Sequence, residues 1–264
     1  MNSMTHMSVD PSVQAATRLS KRVAAERPCS RSEAERLIVA GRVRVDGQVV
    51  DLPEARVSPG QSVSVDTSAA LAPPVQVTLL WHKPAGVVIP EGLHLPTAQA
   101  QAWFAPERLS APGRTGPSPQ REHLHRLHPL LPLATGESGL MVFTQSLGVT
   151  RKLGEVAGDL EQEWLVDLSA PVPRDEAAAR EAVLRSLGQP VSFDGRHLAP
   201  ARASWQSERR LRLAIKGGLP GQLTFLLQRA GIAAEARRRQ RLGRVGLAGL
   251  DEGGWRYLLP TERF

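Results

Sequence analysis

The chain has 264 residues, 41% hydrophobic and 22% charged, which suits one large domain or a small domain followed by a larger one. No run approaches ~18 consecutive apolar residues, the opening MNSMTHMSVDPS lacks the basic and apolar regions of a secretory leader, and the single Cys29 excludes an internal disulfide, so a soluble protein of a reducing cytoplasm is expected. Thirty-three Lys+Arg against 26 Asp+Glu give a net charge of +7, a balance that favours a polyanionic partner over an acidic or membrane-spanning role.

Residues 1–16 read as a flexible tail. From residue 17, TRLSKRVAAE places apolar residues at helical spacing. SRSEAERLIVAGR follows, in which Ser30 and Glu33 form a capping box, Leu37 and Ile38 extend the apolar face begun by Ala34, and Gly41 ends the helix. VRVDGQVV alternates about Asp46–Gly47, a two-residue hairpin signal, and VSPGQSVSVD supplies one more short strand. The basic residues Lys21, Arg22, Arg31, Arg36, Arg42 and Arg44 fall on this helix pair and strand. Interspersed Glu33, Glu35 and Asp46 leave a plain solvated face as the alternative.

Residues 67–76 read as a Pro/Ala linker, and residues 77–264 as a second domain. It opens with VTLLWHKPAGVVIP, a strand ending at Lys83. A long loop is expected over 105–121, a strand over 140–145, a helix within LGVTRKLGEVAGD, and a strand in EWLVDLSAPV. RDEAAAREAVLRSLG reads as a helix, RLRLAI as a strand, GQLTFLLQRAG as a helix, and LGRVGLAGLDEGGWRYL as a final strand pair with RRRQR as a basic cluster ahead of it. The expected class is α+β, a small helix-helix-hairpin domain followed by a mixed, mostly antiparallel sheet flanked by helices. His123, His125 and His128 have no acidic or cysteine partners at metal-binding spacing, so no metal is expected.

Two resemblances sharpen this reading. SRSEAERLIVAGRVRVDGQVV resembles the S-four RNA-binding domain, whose helix carries Ser-Arg-x-x-Ala-x-x-Leu-Ile and whose next strand carries Gly-x-Val-x-Val-(Asn/Asp)-Gly. That resemblance implies an RNA surface including Arg31, Arg36, Arg42 and Arg44. Arginine suits it, because a planar guanidinium matches phosphate oxygens bidentately, and only Lys21, Lys83, Lys152 and Lys216 are lysine. A high-GC genome would produce the same bias.

In the second domain, four landmarks in order resemble bacterial rRNA pseudouridine synthases with an N-terminal S-four domain: HKPAGVV, LATGESGLMVFTQ, EQEWLVDL, and the C-terminal run from GGLPGQLTFLLQRAG to GGWRYL. The resemblance implies a cofactor-free isomerisation of a flipped-out uridine in rRNA or a ribosomal precursor, with one essential aspartate, a tyrosine stacked on the uracil, and a basic residue near the aspartate. Flipping requires stacking and backbone contacts to offset a few kcal/mol.

The departures from the family pattern fall on the chemistry. Ala134 stands at the aspartate position, Pro132 at the preceding arginine, Trp164 at the tyrosine, Gln162 at a lysine, and Pro220–Gly221 at an Asn-Arg pair, while Ser138, Gly139, Leu140 and Gln222 match. An alanine methyl neither attacks nor accepts a proton, so the loss should lower the rate on the order of 10⁴ or more. Glu137 is the one nearby carboxylate, and an ordinary turn is not expected to bring it to the Asp position.

The resulting expectation is a monomeric, cytoplasmic RNA-binding homologue with impaired or absent isomerase activity. The alternative is an active synthase using a non-standard carboxylate. Besides Lys21 and the N-terminal arginines, the residues expected at RNA are Lys83, Trp164, Gln222, Arg239 and Arg241, with a strand cap as the alternative for Lys83 and a solvated loop for the run holding Arg239 and Arg241. Trp164, beside Leu165 in a strand, is read as core as well.

Overall fold

The computed structural model describes residues 16–68, 75–110, 116–155 and 158–264. The expected tail up to residue 15, most of the expected linker, and residues 111–115 of the expected long loop lie outside the described residues. The chain divides into two compact units, Met1–Val75 with Gln120–Glu122, and Gln76–Pro119 with His123–Phe264.

In the first unit, β1 (Thr17–Arg18) leads into α1 (Leu19–Glu26) and then α2 (Arg31–Val39). The capping box forms: the Glu33 N–H donates to Ser30 Oγ at 3.2 Å and the Ser30 N–H to Glu33 Oε2 at 2.8 Å. These bonds satisfy two amide donors that a helix start otherwise leaves open. β2 (Val43–Val45) and β3 (Gln48–Val49) form the hairpin, with Asp46 and Gly47 both at positive φ, 50° and 81°. Such a pair matches the right-handed twist of the strands. Two short strands follow where one was expected, β4 (Arg56–Val57) against β1 and β5 (Val63–Val65) against β2. Leu19, Val23, Ala34, Ile38, Val43, Val45 and Val57 make the core.

The second unit runs β6 (Thr78–Lys83), α3 (Thr97–Trp103), β7 (His128–Leu130), β8 (Glu137–Thr144), α4 (Leu147–Glu155), β9 (Glu161–Leu168) and α5 (Ala177–Leu187). It continues with β10 (Val191–Phe193), β11 (Arg196–Leu198), β12 (Arg202–Trp205), β13 (Arg210–Lys216), α6 (Gln222–Arg229), β14 (Ala234–Leu242), β15 (Val245–Gly246) and β16 (Trp255–Tyr257). A nine-stranded sheet is ordered β12-β13-β9-β14-β8-β6-β16, with β15 on β14 and β7 on β8. The β14–β8 pair is parallel and the other pairs are antiparallel, so the sheet is mixed and mostly antiparallel.

One expectation is corrected here. The segment RRRQR is part of a nine-residue strand at the middle of the sheet, not a loop cluster ahead of one. Its central buried position is Arg239, and only Leu242 at its end is a buried apolar residue, so the apolar alternation that marks a strand is missing from the sequence. By contrast β9, EQEWLVDL, alternates half-buried and buried residues along its whole length. Leu133, Trp164, Val166, Leu211, Leu213 and Ile215 pack with Leu223 and Leu226 of α6 on one side of the sheet. Trp81 stacks on Trp103 at 4.5 Å within an aromatic cluster that includes Phe104, Phe143 and Trp255.

Candidate active site

The stretch 131–137 links β7 to β8 and borders a cavity of about 470 Å³. Leu133, Ala134, Thr135 and Glu137 line it from that loop, Gln162 and Trp164 from β9, Arg239 from β14, and Gly217–Gln222 from the turn before α6. The central position of β14 is what assembles the site. Arg239 pairs with Trp164 on one side and with Gly139 on the other.

Gly139 adopts φ +110°, and an added Cβ would fall inside the contact radius of the Arg239 backbone. The family's glycine is therefore a steric requirement of the close β8–β14 approach. Gly218 is packed less rigidly, since its Cβ would meet only the end of the Leu131 side chain, Cδ2 at 2.8 Å, and Gln162 Nε2 at 3.1 Å.

Lys83 is fully buried at the end of β6. Its Nζ donates to four carbonyl oxygens, those of Pro84 (3.0 Å), Ala134 (3.1 Å), Thr135 (3.3 Å) and Glu137 (2.8 Å). The Gly86 N–H also donates to the Thr135 carbonyl, at 2.7 Å. Three of Lys83's acceptors belong to the loop that carries Ala134, so this ammonium fixes the loop's shape. Burial lowers its pKa and the Glu137 charge raises it. Lys83 is thus enclosed by its own loop and strand end.

Glu137 does not extend away from the loop. Its Oε2 accepts the Ala134 N–H at 2.9 Å, and the Glu137 N–H donates to the Ala134 carbonyl at 3.0 Å. The turn therefore brings this carboxylate back to the backbone amide of residue 134.

Arg239 is 2% exposed and bridges three elements. Its Nε donates to the Leu140 carbonyl at 2.8 Å, one terminal nitrogen to the Leu131 carbonyl at 2.8 Å, and the other to Gln162 Oε1 at 3.2 Å. Its guanidinium carbon lies over the Trp164 ring, 5.6 Å from the centroid. Burial brings its pKa down to about 9 while the Glu137 charge opposes the fall, so the group stays cationic at neutral pH. An arginine held this way supports the pocket wall and is not offered to a surface phosphate.

Trp164, 4% exposed, belongs to the core and also lines the cavity, with Arg239 over one ring face; its Nε1–H is buried without a hydrogen-bond partner. Gln222 is buried, its Nε2 donating to the Lys216 carbonyl at 2.8 Å and its Oε1 accepting the Leu219 N–H at 3.3 Å. It shapes the turn before α6. Arg241 lies on the opposite face, bound to Glu161 (2.6 Å) and Glu163 (3.3 Å) in a lattice that also holds Arg202 and Arg212. Its charge is compensated there by the two glutamates.

In the first unit, Lys21, Arg31 and Arg44 are exposed and Arg22, Arg36 and Arg42 are half-buried. Arg22 pairs with Glu26, Arg31 approaches Glu35 at 3.8 Å, Arg42 approaches Asp66 at 3.9 Å, and Arg44 donates to the Gly47 carbonyl at 3.0 Å. Of the three histidines, His123 is buried against the Tyr257 hydroxyl at 2.8 Å and His128 bonds the Leu93 carbonyl. Among the described residues no group of three or more His, Cys, Asp or Glu is placed to hold a metal, and no helix is long and apolar enough to cross a membrane.

Sequence reasoning did not reach Gln162 as a pocket residue, nor the loop around Ile89–Gly92 that forms part of its rim. No periodicity or motif marks that loop. Gln162 was visible only as a departure from a lysine.

The first unit is an S4 domain, whose family model matches residues 17–63. The chain as a whole is homologous to RNA pseudouridine synthases. It is 24% identical over 249 residues to the dual-specificity RNA pseudouridine synthase RluF of Escherichia coli (strain K12), covering 93% of this chain and 76% of that protein. It is 25% identical over 248 residues to an uncharacterized RNA pseudouridine synthase of Aquifex aeolicus (strain VF5), covering 93% and 94%. It is 24% identical over 251 residues to the ribosomal large subunit pseudouridine synthase B of Bacillus subtilis (strain 168), covering 93% of each. A crystal structure of a pseudouridylate synthase shares the fold, with a TM-score of 0.51 and 20% identity over 92% of this chain and 96% of the other.

Proposed function

We propose that this protein is an RNA-binding homologue of the pseudouridine synthases, acting on rRNA or a ribosomal precursor in the cytoplasm as a monomer, with isomerase activity impaired or absent. The observation that carries the reading is Ala134: the cavity wall presents a methyl group where the resemblance expects the essential carboxylate. Pro132, Trp164 and Pro220 depart from the family pattern around the same cavity. What persists is the frame, namely the Gly139 approach, the Lys83 strut and the apolar strands.

The test incubates the purified protein with deproteinised rRNA from a synthase-deleted strain and maps pseudouridine chemically. The expected result is no modified uridine above the protein-free control. Site-specific turnover would overturn the loss of activity.

A second reading is favoured by one distance. Glu137 Oε2 lies 2.9 Å from the Ala134 nitrogen, with its charge felt by both Lys83 and Arg239. That arrangement moves the carboxylate within one loop, from 134 to 137. Under this reading turnover is present and Glu137→Gln abolishes it.

A further inference from the structure

A second cleft, of about 140 Å³, adjoins the large cavity, and Gly217, Gly218 and Leu219 line both. Its chemistry is different. Arg196 and His197 of β11 and Lys216 at the end of β13 line it, and no carboxylate does. Among the described residues neither Arg196 nor Lys216 makes an ion pair. The strand partner of Lys216 is Glu161, which is engaged by Arg202 and Arg241 instead. His197 is held by Ser192, whose Oγ lies 3.0 Å from its Nδ1.

The wall shared by the two spaces is bare backbone. Gly217 has φ +96°, and a Cβ on Gly218 would meet Leu131 at 2.8 Å and Gln162 Nε2 at 3.1 Å. The two spaces are therefore separated by one thickness of backbone, with Gly217, Gly218 and Leu219 lining both. The larger space combines the apolar walls of Trp164, Leu133 and Ile215 with polar groups such as Glu137, Gln162 and Arg239, a lining that suits a flat heterocycle with polar edges. The smaller one offers a guanidinium and an ammonium that form no ion pair among the described residues, the combination that recognises a phosphate.

We infer that the Arg196–Lys216 cleft holds a backbone phosphodiester of an RNA strand whose neighbouring nucleoside enters the large cavity; this rests on the RNA-binding reading above. The two spaces divide one nucleotide unit into base and phosphate, and the cleft contributes affinity without reading sequence.

The experiment titrates the full chain with a short single-stranded RNA carrying one uridine, at several salt concentrations, in wild type and in the Arg196→Gln/Lys216→Gln variant. A second RNA carries a neutral methylphosphonate linkage beside the uridine. The expected result is about a tenfold weaker affinity for the variant and a log–log salt slope smaller by about 0.7 for each phosphate the variant no longer neutralises. The neutral linkage should weaken wild type by a similar factor and should not weaken the variant further. If the variant binds like wild type with the same slope, the cleft assignment falls while the RNA-binding reading stands. Additive effects of linkage and variant also overturn it, because the two would then act at separate places. If wild type itself fails to bind at low salt, the RNA-binding reading falls and the cleft with it.

Discussion

The carboxylate of Glu137 accepts the backbone N–H of Ala134 at 2.9 Å, so the loop's carboxylate is tied to the main chain of the residue whose side chain carries none. The same charge acts on Lys83 and Arg239, both buried cations. Ala134→Asp would therefore set a second carboxylate beside the first, where like charges oppose ionisation of both. With Pro132, Trp164 and Pro220 unchanged, Ala134→Asp is expected to give no pseudouridine in the mapping assay. Gain of turnover in that single variant would show that the rest of the site is intact.

Lys83→Met should be severe. It removes one cation and leaves the carbonyls of Pro84, Ala134, Thr135 and Glu137 without their shared donor in a buried setting. Loss of a buried, fully bonded charge is expected to cost about 3 kcal/mol or more. Thermal unfolding measures the total. Hydrogen exchange measures the locality, since the Gly86 and Glu137 amides, bonded to Thr135 and Ala134 carbonyls, should lose protection first.

Two glycines three residues apart should respond in opposite ways. At Gly139 an alanine methyl meets the Arg239 backbone, at a φ of +110° that alanine does not adopt without strain. Gly139→Ala is expected to lose about 3 kcal/mol or more, or to leave the protein insoluble. At Gly136 the nearest atom to a new Cβ is the mobile end of Arg237, at 3.4 Å, so Gly136→Ala should change stability by about 1 kcal/mol or less. Equal effects would refute the β8–β14 close approach.

Alkaline titration isolates one group, because Tyr257 is the only tyrosine in the chain. Burial pushes its phenol up to about 12 from an ordinary 10.0. The folded-state pKa is raised, so this contribution to stability is complete below pH ~10 and is lost as pH rises through about 12. Tyrosinate absorbance should titrate near 12 in the folded protein and near 10 in denaturant. A native midpoint near 10 would mean that the Tyr257–His123 contact is open to water.

On the S4 domain, Lys21 and Arg31 are exposed, and the nearest acid to Arg31 is 3.8 Å away. Lys21→Gln/Arg31→Gln is expected to weaken RNA binding uniformly across sequences and to lower the salt slope by about 0.7 to 0.9 for each phosphate released from a cation. Unchanged affinity and slope would place the RNA surface of this unit elsewhere.

Much of this molecule was legible in order along the chain. The capping box at Ser30–Glu33, the Asp46–Gly47 hairpin, the alternation of EQEWLVDL and the helices over 177–187 and 222–229 are local patterns. Each depends on contacts within a few residues, so composition and spacing suffice to place them. The reading of Ala134 at the motif's Asp position came equally from the sequence, because it is a matter of register against a motif. The strand over 234–242 was not legible, since its central buried side chain is Arg239, whose burial is offset by carbonyls and an indole contributed by distant segments. Nor could the roles of Lys83, Arg239 and Arg241 be read from their charge. An arginine binds phosphate, braces a pocket or neutralises glutamates according to which groups lie beside it, and those neighbours come from strands far away in the chain. The sequence by itself determined the S4 domain, the α+β class and most of the elements, and it set Ala134 at the register of the motif's aspartate. Only the tertiary structure decided that two of the motif cations are buried struts, that Glu137 folds back onto residue 134, and that Arg196 and Lys216 line a separate cleft, because burial and pairing are properties of the assembled sheet and of no single segment.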